Sequence, residues 1–152
     1  QSDPVTVLAL SALRAADKTR PDGGDALGQL AGECVARLRA RLARPRRTAD
    51  DWSIQLPEEG PAGGCTCNLC GVLRTFLEDK SRRTFKWPLA KDGRQHVHAR
   101  IDDAELAVTH VTVRQGRPYT LVLNKTDELL AREQESRTQD ESDLKWLARR
   151  LP

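Results

Sequence analysis

Cys65, Cys67 and Cys70 stand in the run GGCTCNLCG, three thiols inside six residues. Such a cluster suits three chemistries: a disulfide staple, a dithiol redox pair, or three corners of a metal site. A Cys65–Cys67 disulfide would close a very tight ring and restrain almost nothing. A redox C-x-x-C follows a strand within a βαβ pattern, whereas here Gly63 and Gly64 lead into the cluster and no such pattern surrounds it. The metal reading fits better. CNLCG has the form of a zinc knuckle: the first thiolate on a turn, the second at a helix start, and Gly71 behind to let backbone amides turn toward sulfur. Zinc takes four ligands in a tetrahedron, with thiolates and imidazoles preferred in closed structural sites, so one ligand must come from elsewhere.

His96 and His98, in RQHVHAR, are two of only three histidines in the chain. On a strand both side chains would share a face and either could reach the metal. On a helix, residues two apart diverge by about 200°, so only one can bind. Val97 and Ile101 sit at helical spacing, which favours the helix. The expected site is therefore Cys65, Cys67, Cys70 and His96, with His98 as the second choice for the fourth ligand and otherwise exposed. Cys3His leaves no open coordination position, so Zn2+ here is expected to be structural. It would support a fold whose composition is only 4% aromatic. Arg74, Arg82, Arg83 and Lys86 would offset thiolate charge or face a nucleic-acid or other anionic partner.

Elements must position these residues. PVTVLALSALRAADK spaces Val5, Leu8, Ala9, Ala12, Leu13 and Ala16 as an amphipathic helix with Pro4 in its first turn, and RPDGG breaks it. A second helix is expected over 25–44, with the stripe Leu27, Leu30, Ala31, Cys34, Val35, Leu38 and Leu42. Cys34 lies on that stripe as a small buried apolar residue. After a linker with a short strand at 52–56, residues 68–79 read as a helix with Leu69, Val72, Leu73, Phe76 and Leu77 inward. RRTFKWPL reads as extended and 90–106 as a further helix. Val108 to Val113, the RQGRP turn and YTLVLNK form a β-hairpin. A last helix starts at Thr126 as N-cap. Its middle, REQESRTQDES, has no apolar stripe and is expected in solvent, with Leu144, Trp146 and Leu147 making an apolar contact at its end. The result is an α+β fold: a helical hairpin over 1–48 and a zinc-centred α+β module over 49–152.

Charge is unevenly spread. Residues 35–47 hold six Arg and no acid, while 127–143 hold seven acids against two Arg. The basic part suits either solvated helix faces or an anionic partner. No apolar run reaches the ~18 residues of a membrane span, and no basic segment precedes the first apolar stretch. The expected compartment is therefore cytoplasmic (nuclear in a eukaryote), where structural disulfides are rare. The chain contains no Met and starts at Gln1, which predicts a fragment of a multidomain protein. An enzymatic alternative comes from the ββα ending, the outline of a ββα-metal nuclease acting on nucleic acid. His110 would activate water, with Asn124, Asp127, Glu128 and Glu133 nearby in sequence. The final helix holds no His, and no Gly-rich phosphate loop or Ser nucleophile motif is present.

CTCNLC, the Phe-containing helix, the histidine segment, GRPYTLVLNKT and the charged helix ending in DLKWL together resemble a C-terminal zinc-binding tail. Such tails are found beside 2-oxoglutarate/iron oxygenase-like domains in large multidomain proteins. The resemblance covers roughly residues 65–147. It implies a non-catalytic interaction module that docks a protein or nucleic-acid partner. The oxygenase chemistry needs an H-x-D, which this chain lacks, so no catalytic residue is carried over.

Overall fold

The computed structural model describes residues 3–19, 25–57 and 64–149. The breaker at 20–24 and part of the linker, 58–63, lie outside them. The fold is α+β: helices α1 (Pro4–Thr19), α2 (Asp25–Leu42), α3 (Asn68–Glu78), α4 (Lys91–Asp103) and α5 (Glu128–Ala148), and strands β1 (Thr84–Pro88), β2 (Val108–Val113) and β3 (Thr120–Lys125). Two compact units form, one of Gln1–Arg47 with Ala131–Pro152, the other of Thr48–Leu130. Among the described residues no helix is long and apolar enough to cross a membrane.

In the first unit, Asp3 caps α1: its carboxylate accepts from the Val5 amide at 3.1 Å and the Thr6 hydroxyl at 2.7 Å. The buried face of α1 carries Thr6, Leu10 and Leu13, whereas Val5 and Leu8 of the expected stripe are 60% and 73% exposed. Apolar residues occur on more than one side of this helix, and packing selects the Leu10–Leu13 side. Ala31, Cys34, Val35 and Leu38 of α2 join that core together with Leu147. Cys34 is buried, and burial pushes its thiol upward. Leu147, with Leu144 and Trp146 packed against the same cluster, makes the apolar contact expected at the end of α5.

The middle of α5 corrects a second expectation. Asp140 and Asp143 are buried, not solvated. Asp140 accepts from Arg41 at 3.0 Å, Glu133 pairs with Arg47 at 2.8 Å, and Asp143 pairs with Arg14. Arg137 donates to the Leu42 and Arg44 carbonyls at the end of α2, at 2.8 and 3.2 Å. The polar face of α5 is therefore bound by charge-assisted hydrogen bonds where an apolar stripe would otherwise be needed.

In the second unit the three strands are antiparallel in the order β1-β3-β2. Central β3 alternates, burying Leu121, Leu123 and Lys125 on one face. Leu73, Phe76 and Leu77 of α3, Val97 and Ile101 of α4, and Ile54, Leu56 and Val108 complete the core. Val72 is 42% exposed, off the inner face assigned to it. Residues 52–56 form no strand. The Trp52 and Ile54 amides donate instead to the Lys80 and Leu77 carbonyls at the end of α3, at 2.8 and 2.7 Å. Gly116 turns the β2–β3 hairpin at φ 71°, a conformation that favours glycine. Thr126 does not cap α5 as expected: its hydroxyl donates to the Ala107 carbonyl at 3.3 Å, and the helix begins at Glu128.

Lys125 occupies an inward strand position at 1% exposure. Its ammonium donates to the Leu77 and Asp79 carbonyls at 2.9 and 2.8 Å and lies 4.6 Å from the Phe76 ring centroid. A cation placed there satisfies carbonyls at the end of α3 and complements the negative end of the helix dipole. Lys125→Ala is expected to cost about 3 kcal/mol or more, from the cavity and the lost donors. Lys125→Met should cost less, because it keeps the volume but not the hydrogen bonds. Urea denaturation of both variants checks this; a Met variant as stable as the native chain would refute the capping role.

Candidate metal centre

Cys67 is the N-cap of α3, in extended backbone at φ −66° and ψ 163°. Its sulfur accepts from the Cys70 amide at 3.5 Å. That amide, one of the orphan donors of a helix start, is what turns toward sulfur. Gly71 is not needed for it, since its own amide makes an ordinary helical bond to the Cys67 carbonyl at 3.1 Å. Cys70 sits in the first turn with its side chain buried, Cys65 is half-buried, and all four cysteines of the chain are free thiols. The Cys70 N–H lowers the Cys67 thiol to about 6, with the Cys65 thiol acting the same way. Burial raises Cys70 to about 11.

α4 brings the fourth donor. Its Val97 and Ile101 pack into the core, which fixes the rotation of the helix and turns His96 toward the cysteines. His96 Nε2 lies 3.7, 3.4 and 3.2 Å from the sulfurs of Cys65, Cys67 and Cys70. The four ligand atoms all lie within 4.8 Å of one another. A single imidazole nitrogen carries one proton or one lone pair and cannot satisfy three sulfurs by hydrogen bonding. A metal ion can. With metal–sulfur and metal–nitrogen bonds of about 2.3 and 2.0–2.1 Å, a tetrahedral ion places sulfur and nitrogen about 3.6 Å apart, close to what is seen. The Cys3His group could hold a metal ion, and its donor set fits one that prefers soft sulfur and imidazole.

His98, expected in solvent, is half-buried, with its ring edge-on to His110 at 4.3 Å between centroids. Burial pushes His98 below its ordinary range, and the charges of His110 and Arg94 act the same way. His110 Nε2–H donates to Asp102 Oδ1 at 2.8 Å. The residues grouped with His110 for water activation are engaged elsewhere. Asp127 pairs with Arg83 at 3.2 Å, Glu133 pairs with Arg47, and the Asn124 side chain accepts from the Thr84 hydroxyl at 2.7 Å. Among the described residues no second group of three or more metal-ligating side chains converges. The Asp102–His110–His98 contacts escaped sequence reasoning. The available signal was the helical spacing of 98 and 102 opposite an alternating strand.

The basic candidates also have places. Arg82 lies over the Phe85 ring at 4.8 Å, and Arg83 over Trp52 at 4.2 Å with a bond to the Lys125 carbonyl at 3.0 Å. Arg74 is half-buried, and Lys86 is exposed on β1. Comparison with family models, curated proteins and solved structures gives no match.

Two outcomes are expected with cobalt(II) as a spectroscopic probe. His96→Ala should lower affinity by at least about 10–100-fold, while His98→Ala leaves the thiolate-to-metal absorption unchanged. Equal losses would refute the assignment. Affinity should also climb with pH between about 6 and 11, because the metal must displace the proton that burial keeps on Cys70. A pH-independent affinity would show that the Cys70 thiolate is not a ligand.

Proposed function

We propose that the unit from Thr48 to Leu130 is a non-catalytic structural-zinc module of a larger protein, docking a protein or nucleic-acid partner. The observation that carries this reading is the convergence of three sulfurs on one imidazole nitrogen. Three thiolates and one imidazole complete a tetrahedron, which leaves zinc no position for water or substrate. A reducing compartment such as the cytoplasm keeps the four thiols free for this role. The resemblance to tails beside oxygenase-like domains agrees with an accessory part that shapes or recruits rather than reacts.

Magnitudes favour a structural role as well. A structural zinc contributes on the order of 10–16 kcal/mol at neutral pH. That equals or exceeds the whole ~5–15 kcal/mol stability of an ordinary domain. The second unit rests on a core cluster of ten buried residues under a three-stranded sheet. Removal of the ion should therefore unfold it.

The purified chain is expected to carry one zinc per molecule by elemental analysis. A strong chelator should abolish the cooperative melt of this unit, and zinc should restore it. An apo protein with unchanged circular dichroism and melting temperature would overturn the structural role.

A further inference from the structure

One face of α4 points neither at the cysteines nor into the core. Lys91, Arg94, Gln95, His98 and Asp102 recur at helical spacing along it, opposite the alternating row His110, Thr112 and Arg114 that begins on β2. At one end this seam is closed by Asp102, His110 and His98. At the other it opens into a cleft of about 310 Å³ lined by Lys91, Arg94, Gln95, His98, Thr112, Arg114 and Tyr119.

Three of those residues are permanent cations and none is an acid. Asp102 neutralises charge only at the closed end, where it is engaged by His110. Lys91 and Arg114 are exposed, and neither has a carboxylate within salt-bridge distance among the described residues. Arg94 is held in place. It donates to the Leu89 carbonyl, and its guanidinium lies 5.2 Å from the Tyr119 ring centroid. Only one of its five N–H donors is used by that carbonyl. Thr112 and Gln95 add neutral hydrogen-bond donors. Three unopposed cations converging on one small cleft repel each other, and a multivalent anion with several acceptor oxygens relieves that repulsion.

We propose that this cleft is a phosphate-binding site, with Lys91, Arg94 and Arg114 holding the phosphate oxygens and Thr112 and Gln95 completing the shell. The phosphate is carried either by a free nucleotide or by a nucleic-acid backbone. The cleft uses none of the four metal-ligand residues, so the proposal stands apart from the zinc reading.

The test titrates the full chain by calorimetry at about 50 mM salt, where phosphate contacts are weakly screened. The probes are inorganic phosphate, pyrophosphate, a nucleoside 5′-monophosphate and a short single-stranded oligonucleotide. The double reversal Lys91→Glu with Arg114→Glu is expected to weaken binding at least tenfold, because it removes two charge-assisted hydrogen bonds and adds two repulsive carboxylates. A control reversal of equal charge on exposed residues elsewhere, Lys80→Glu with Lys145→Glu, should have little effect. Binding of the small probes assigns the site to a free nucleotide, and binding of the oligonucleotide alone assigns it to a phosphodiester. No binding by any probe would overturn the proposal, as would equal losses in the two double variants. Either single reversal serves if the double variant does not fold. Zinc content measured on the same samples separates failure of the cleft from failure of the metal site.

Discussion

One imidazole nitrogen facing three sulfurs at 3.2–3.7 Å is the constraint around which the second unit is arranged. It sets the start of α3 against the middle of α4, while Leu73, Phe76, Leu77, Val97 and Ile101 join them through the core. α3 is held at both ends by unlike means. At its N-terminus a thiol accepts from a first-turn amide, and at its C-terminus the Lys125 ammonium takes two carbonyls. A short helix of 11 residues is marginal alone, because nucleation is costly. Tying off orphan groups at both ends removes much of that penalty. The residues on the capped helix then sit where a tetrahedral ion requires them.

The charge asymmetry of the chain has a mostly internal explanation. The arginine run of 35–47 faces Asp3, Glu133, Asp140 and Glu141, and the closest of these pairs are well shielded. Acids of α5 and arginines at the basic end of α2 are partners within one unit, so part of each run is matched internally. The burial of Asp140 raises its pKa despite Arg41, which marks this network as one that sets geometry more than it adds net stability. Arg82 and Arg83 are likewise occupied by aromatic rings. Lys91, Arg94 and Arg114 differ in lining one cleft together with no acid among its lining residues.

Local pattern was legible in the sequence, and pairing between distant segments was not. The alternation of 108–113 and 120–125 around a glycine turn announced the hairpin, and three thiols at knuckle spacing announced the ligand cluster. The helical spacing of Val97 and Ile101 was enough to choose His96 over His98 for the side that meets the thiols. The pairing of β1 with β3 could not be read, because a five-residue strand carries no mark of its partner. Nor could the inward side of α1, whose apolar residues point several ways until α2 selects one. The middle of α5 was misread for a physical reason: burial was sought as an apolar stripe, and here it is achieved by carboxylates matched to arginines. Lys125 hid in the same way, although the alternation of Leu121 and Leu123 runs on to it.

α4 shows how these features combine. Its 13 residues are polar enough to look like a surface helix, yet three of its faces are committed. Val97 and Ile101 anchor it in the core, which sets its rotation. That rotation presents His96 to the sulfurs and, some 200° away on the helical wheel, presents His98 to His110. The residues that share the His98 side, one and two turns earlier, are Arg94, Gln95 and Lys91. A core contact of two side chains thus fixes the imidazole that meets the thiols and the cationic cleft at once. Any substitution that re-registers the helix would displace both, whereas the cleft can lose its charges without touching the thiols. That separation makes the two sites independent in chemistry although they share one backbone.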